Sequence, residues 1–247
     1  MDRMLYLAAS GARQILEAQT VTANNLANVS TTGFQADLSL AQAQQVYGPG
    51  HASRVYAVNA GEGVDFSKGT VQSTGRSLDV AINGQGWIAV QAADGSEAYT
   101  RAGDLRISAS GMLETGTGLA VIGDGGPMLI PDAQQIEIAP DGTVSVLPIG
   151  QPANTLAVVG RIKLVQPDPA QLVKGEDGLL RLADGSEAEA SNAVTLTSGA
   201  LEGSNVNAVE ALMNMVSLAR QYEAQVKLMQ TAKQNDESSA RLMSINS

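Results

Sequence analysis

The chain contains one pattern with the letters of a phosphate-binding loop, Gly84-x-Gly86-x-x-Ala89. In dinucleotide-binding folds such glycines let the backbone approach a pyrophosphate seated on a helix N-terminus. That chemistry needs a helix after the loop, and Trp87-Ile88-Ala89-Val90 reads as strand, so no nucleotide site is expected. Glycoside hydrolysis would need two positioned carboxylates, one of them kept protonated by burial. Asp94, Asp141 and Asp184 each precede a glycine in turn-like surroundings, which points to solvated turn residues. His51 is the sole histidine and there is no cysteine, so neither a zinc site nor a thiolate nucleophile can be assembled. Asn28-Val29-Ser30 fits a glycosylation sequon, but the apolar run Met4–Ala9 is broken by Ser10 and Arg13 before it could serve as a secretory leader. The same run is far below the roughly 18 residues a membrane span requires, so no direct membrane insertion is expected. A net charge of −10 without clustered Lys or Arg opposes a nucleic-acid partner. These readings leave no catalytic, cofactor-binding or metal-binding residue, and the chain reads as non-enzymatic.

The elements that carry the chain divide by composition. Residues 1–45 hold two of the 26 glycines and none of the eight prolines, and residues 205–247 hold neither type. The turn-rich centre, 46–204, has net charge −9, whereas the two ends are −1 and 0. Nearly neutral surfaces pack against like surfaces with little repulsion, and an acidic centre stays self-avoiding. In the C-terminal end a heptad seam runs through Ala208, Leu212, Met215, Ala219, Tyr222, Val226, Met229, Lys233, Asp236, Ala240 and Met243. The span Asn207–Met243 predicts a helix of roughly 55 Å, too long for the interior of a small domain. The N-terminal end has two adjacent seams, one through Met4, Ala8, Gly11, Ile15, Ala18 and Thr22, the other through Leu5, Ala9, Ala12, Leu16, Ala23 and Leu26. A stripe that wide calls for more than one neighbour. Pairing of the two ends within one chain and bundling between chains both satisfy the pattern.

The centre reads as strands. Leu78, Val80 and Ile82 alternate with polar or small residues up to the Asn83-Gly84 turn, and Ile136, Ile138, Val144 and Val146 flank Pro140-Asp141-Gly142 as a hairpin. Val158 to Leu164 alternate as one long strand. The pentapeptide Asp-Gly-Ser-Glu-Ala at 94–98 and 184–188 reads as two similar turn tips rather than an internal repeat. Residues 42–77 have only weak periodicity and read as extended or linker-like.

One segment is more specific than any periodicity. Ala23-Asn24-Asn25-Leu26-Ala27-Asn28-Val29-Ser30-Thr31-Thr32-Gly33-Phe34 resembles the N-terminal signature of the flagellar basal-body rod and hook family. Asn and Thr side chains can bond backbone groups where the helix ends, Gly33 can turn left-handed, and Phe34 can anchor the exit. Ser77–Trp87, Tyr99–Gly103 and Leu201–Asn207, the last containing Ser204, Asn205, Val206 and Asn207, resemble later signatures of the family. Length, the Trp87–Gln91 continuation, Pro152–Thr155 before Gly160–Val165, and Glu202-Gly203 make the chain most similar to proximal-rod members. Gln35 departs from the Lys or Arg that the family commonly places after the Phe.

The resemblance implies an α+β fold: N- and C-terminal helices pairing as a coiled coil, with a central antiparallel, turn-rich all-β domain. The expected segments are 1–30 with 205–247 as a discontinuous helical domain, 31–74 as an extended linker or hairpin arm, and 75–204 as the β-rich domain. It implies a structural axial subunit of the proximal rod, self-assembling and assembling with other rod proteins to transmit torque for motility. A distal-rod or hook-type subunit is the alternative, and a peptidoglycan-acting enzyme a remote one. The implied partners are other rod subunits and the flagellar type III export apparatus. The implied place is the periplasmic rod of the basal body, reached without a cleaved leader. The expected working residues are the seam positions Leu5, Ile15, Leu16 and Leu26, with Leu212, Met215, Tyr222, Val226 and Met229.

Overall fold

The computed structural model describes residues 2–45, 55–151 and 155–245, and the chain forms two compact units. His51 and Pro152–Asn154 lie outside the described residues. The first unit joins 1–28, 36–65 and 206–247; the second joins 29–35 and 66–205. Of the stretch 31–74, expected as an extended linker or hairpin arm, 36–65 clusters with the helices and 31–35 and 66–74 with the β-rich unit.

In the first unit, helix α1 (Asp2–Ala27) packs against helix α2 (Ala208–Ile245). Alanine, the best helix former, recurs along α1, and Asn207 caps α2 by accepting the Val209 and Glu210 amides on its Oδ1 at 3.0 and 3.3 Å. Small residues set the approach: Ala8 and Ala12 of α1 and Ala211 and Ala232 of α2 are buried, and Gly11 meets the Gln225 side chain. Gly11 lies beside Gln225 while Leu5 shares a groove with Met229 and Lys233, so the helices run antiparallel. At about 1.5 Å per residue, the 38-residue α2 is longer than the 26-residue α1 by three turns or so. Strands Asp37–Gln45 and Val55–Val64 form an antiparallel two-stranded sheet in the same unit, with a register shift between Leu40 and Ala41.

The second unit is antiparallel β throughout its described strands. Its largest sheet has nine strands, with Trp87–Gln91 and Glu97–Thr100 near the middle. A three-stranded sheet is ordered Ala133–Ile138, Thr143–Pro148, Ala157–Arg161, and contains the hairpin turned at Pro140-Asp141-Gly142. Two pairs complete the unit: Thr195–Ser198 with Val80–Asn83, and Ala200–Glu202 with Val71–Ser73. The expected long strand through Leu164 is two strands, Ala157–Arg161 and Leu164–Val165. The chain changes sheets there, with Ile162 bridging Gly123 and Leu164 pairing with Ile88. Val80, Ile88, Val90, Leu105, Leu113, Val121, Val144 and Leu196 are the centre of one apolar core. Each such side chain contributes about 1.5–3 kcal/mol through removal from water.

Candidate functional site

The turn carboxylates behave as solvated groups. The Ser96 hydroxyl and then its amide hold Asp94 below the usual carboxylate range, and the amides and hydroxyls of Thr143 and Ser186 do the same for Asp141 and Asp184. The two Asp-Gly-Ser-Glu-Ala segments thus close matching turns, each through an Asp that accepts from the Ser two residues on. A polar cleft of about 360 Å³ contains Glu97, Asp124, Lys163 and Glu187. Its most buried acid is already engaged, since Glu97 accepts from Lys163 Nζ at 2.8 Å and from the Tyr99 hydroxyl at 3.0 Å. Trp87 follows Gly86 directly into a strand, so the Gly84-x-Gly86 pattern opens no helix. Among the described residues no cluster of His, Cys, Asp or Glu could hold a metal ion.

The helix pair is different in kind, because it leaves apolar side chains uncovered. Of the first α1 seam, Ala8 is buried and Gly11, Ile15, Ala18 and Thr22 are half-buried; of the second, Ala12 is buried, Leu26 is half-buried, and Leu5, Ala9, Leu16 and Ala23 are exposed. On α2, Met215, Tyr222, Val226 and Met229 are half-buried, whereas Leu212 is 51% exposed. Val209, Met213 and Val216 extend the exposed apolar surface beside Leu212. Ala211 and Ala232, the buried residues of α2 among those described, lie off the heptad seam read from the sequence. Small side chains score weakly as hydrophobes, yet they let two backbones come together. The side chains of Met4, Ala240 and Met243 lie outside the described residues. Leu5, Val226, Met229, Ala232 and Lys233 line an apolar groove of about 280 Å³.

The signature segment explains itself in two halves. In the first unit, the Asn28 side chain donates to Asn24 O and Oδ1 just beyond the end of α1, adding to the bond that the Asn28 amide already makes to Asn24 O. Asn25 imitates a strand, donating from Nδ2 to Asp37 O at 2.8 Å and accepting the Asp37 amide on Oδ1 at 2.9 Å. In the second unit, residues 31–35 form a strap. Gly33 has φ +66°, donates its amide to Glu202 O, and leaves no room for a Cβ, which would lie 2.2 Å from the Arg101 carbonyl carbon. Lys174 Nζ sits 4.1 Å from the Phe34 ring centroid and donates to Gln35 O. Gln35, at the family's basic position, is buried and accepts the Trp87 indole N–H at 3.0 Å, so it faces inward rather than toward a charged partner. Asn205 donates its amide to Phe34 O and its side chain to Ser67 O.

Three stretches of this chain match family models. They are a flagella basal body rod protein model over 5–35, a flagellar hook protein FlgE/F/G D1 domain over 81–146, and the flagellar basal body rod FlgEFG protein C-terminal region over 197–242. The flagellar basal-body rod protein FlgF of Salmonella typhimurium is 42% identical over the whole of both chains, as is that of Escherichia coli. The chain belongs to the flagellar basal-body rod protein family. Within that family it is similar also to the FlgG rod protein of Bacillus subtilis, at 31% identity over 94% of this chain and 96% of the relative. The resemblance is thus of the FlgF type, and the chain is a structural rod protein, not an enzyme.

Sequence reasoning missed the ion pair under the family's strap. Arg101 and Glu202 are almost wholly buried, with side chains 2% and 3% exposed. Arg101 donates from Nη2 and Nε to the carboxylate at 2.7 to 3.1 Å and from Nη1 to Gly86 O. Glu202 also accepts the Gly69 amide on Oε1. One carboxylate therefore joins stretches of chain distant in sequence. Both residues lie inside segments quoted for the resemblance, but no spacing rule links positions 101 apart.

Proposed function

We propose that this chain is an axial subunit of the proximal rod, built into the drive shaft between motor and hook through its terminal helices. The observation that carries the reading is the exposed apolar surface of the helix pair, Leu5 and Leu16 on α1 with Val209, Leu212, Met213 and Val216 on α2. An apolar surface of this extent on a near-neutral helix pair favours burial against similar helices. In this reading the α1 and α2 helices form a coiled-coil layer with those of neighbouring rod subunits. Leu5, Ile15, Leu16, Leu26, Leu212, Met215, Tyr222, Val226 and Met229 are the seam. The family resemblance further supports delivery to the periplasmic rod by the type III export apparatus.

The test is Leu212→Asp in the full chain. Half of Leu212 is in water, so the substitution spares the fold while placing a carboxylate where a neighbour would pack. Cells carrying it should fail to complete the rod and to swim, with the fluorescence of Trp87, the sole tryptophan, unchanged. Normal swimming overturns the seam.

A further inference from the structure

The three-stranded sheet of the second unit has two outer edges. Strand Ala157–Arg161 pairs with Thr143–Pro148 on one side. Among the described residues no backbone hydrogen bond reaches 155–159 from the other side, and attachment resumes only where Arg161 O and the Lys163 amide meet Asp124 and Ile122. Strand Ala133–Ile138, at the opposite edge, is likewise paired on one side only. Proteins usually guard such edges with charge or proline, because unpaired N–H and C=O groups are a template for another chain. The first of these edges is unguarded. Val158 is 69% exposed and Ile149 71%, and Leu156 is about half in water.

Charge singles out the same place. The second unit carries sixteen carboxylates and eight basic residues, so two copies of it repel. Residues 142–160 contain no charged residue, a run of nineteen. Contact between two acidic copies is least opposed there. The facing edge suits it: Gln134 and Gln135 of Ala133–Ile138 are exposed neutral amides, and Glu137 is the single charge on that strand.

We infer that this uncharged edge is a contact between copies: strand Ala157–Arg161, with Ile149 and Leu156, seats against the outer edge of strand Ala133–Ile138 of a second copy of this chain. Unlike edges meeting in this way do not close as a dimer and propagate instead from copy to copy. The contact uses no residue of the helices and adds to theirs. Its head-to-tail direction rests on the axial-subunit reading, while the contact itself rests on the strand edges and the charge distribution.

The absence of cysteine makes a direct test available. Full-length chains carrying Val158→Cys together with either Gln135→Cys or Glu137→Cys are oxidised mildly, in concentrated solution and in isolated basal bodies. Within one copy, strand Thr143–Pro148 lies between the two positions; Val158 and Glu137 both oppose Ser145 and are two strand spacings apart, about 9–10 Å, and Gln135, opposite Leu147, is farther still. A disulfide needs Cα atoms within about 7 Å, so every bridge formed joins two copies. The expected result is a ladder of dimers, trimers and longer species that reductant collapses, with Trp87 emission unchanged. No ladder from either pair overturns the inference. Disulfide dimers from Val158→Cys alone also overturn it, because like edges would then be meeting. Failure of the helix reading is separately visible as normal swimming by Leu212→Asp.

Discussion

Replacing Arg101 by Met tests the claim that one buried ion pair holds the strap-bearing side of the β unit together. In the native chain Glu202 accepts from Arg101 Nε on both oxygens and from Nη2 on one, with the Gly69 amide as a further donor. Met fills most of the arginine stem but donates nothing, so a carboxylate 3% exposed keeps only the Gly69 amide among these donors. Gly86 O loses its guanidinium donor as well. Removing one partner of a buried pair costs about 3–5 kcal/mol, because the remaining charge stays desolvated. With a urea dependence of about 2 kcal/mol per molar, the midpoint falls by roughly 1.5–2.5 M. Trp87 is the sole tryptophan and is buried in this unit, so its emission reports the transition without interference from the helices. Adding Glu202→Gln removes the stranded charge and keeps an acceptor for Gly69, so the double variant should be more stable than Arg101→Met alone. A single variant within about 1 kcal/mol of the parent, or a double variant no better than the single, refutes the reasoning.

Two further outcomes follow from the same unit. Gly33→Ala puts a Cβ 2.2 Å from the Arg101 backbone at φ +66°, so it should release the strap, deprive the Trp87 indole of Gln35, and red-shift its emission; an unchanged spectrum would show that the strap is not fixed. Burial pushes the Tyr99 phenol up to about 12 from its ordinary 10.0, so the neutral form is favoured in the fold. Its contribution is complete below pH 10 and is lost as pH rises through about 12. Urea midpoints should fall across that window, and Tyr99→Phe should flatten the decline even though the Ala188 amide loses its acceptor.

The periodicities at the two ends determined that there would be two long helices, because a 3.6-residue repeat with no proline leaves few alternatives. Alternation and turn dipeptides likewise determined the hairpin at Pro140-Asp141-Gly142, where every interaction is local. The signature residues were legible as a motif, but their tasks were not. Asn25 bonds a strand twelve residues on, and Gln35 meets an indole fifty-two residues away. Tertiary structure alone decided that α2 turns Ala211 inward and leaves Leu212 in water, since close helix approach rewards the smaller side chain where hydrophobicity ranks the larger. It alone joined Arg101 to Glu202. Local pattern is set by the backbone period, which neighbouring residues carry in themselves; a buried charge pair depends on which distant strands become neighbours, and that is decided only when the whole sheet forms.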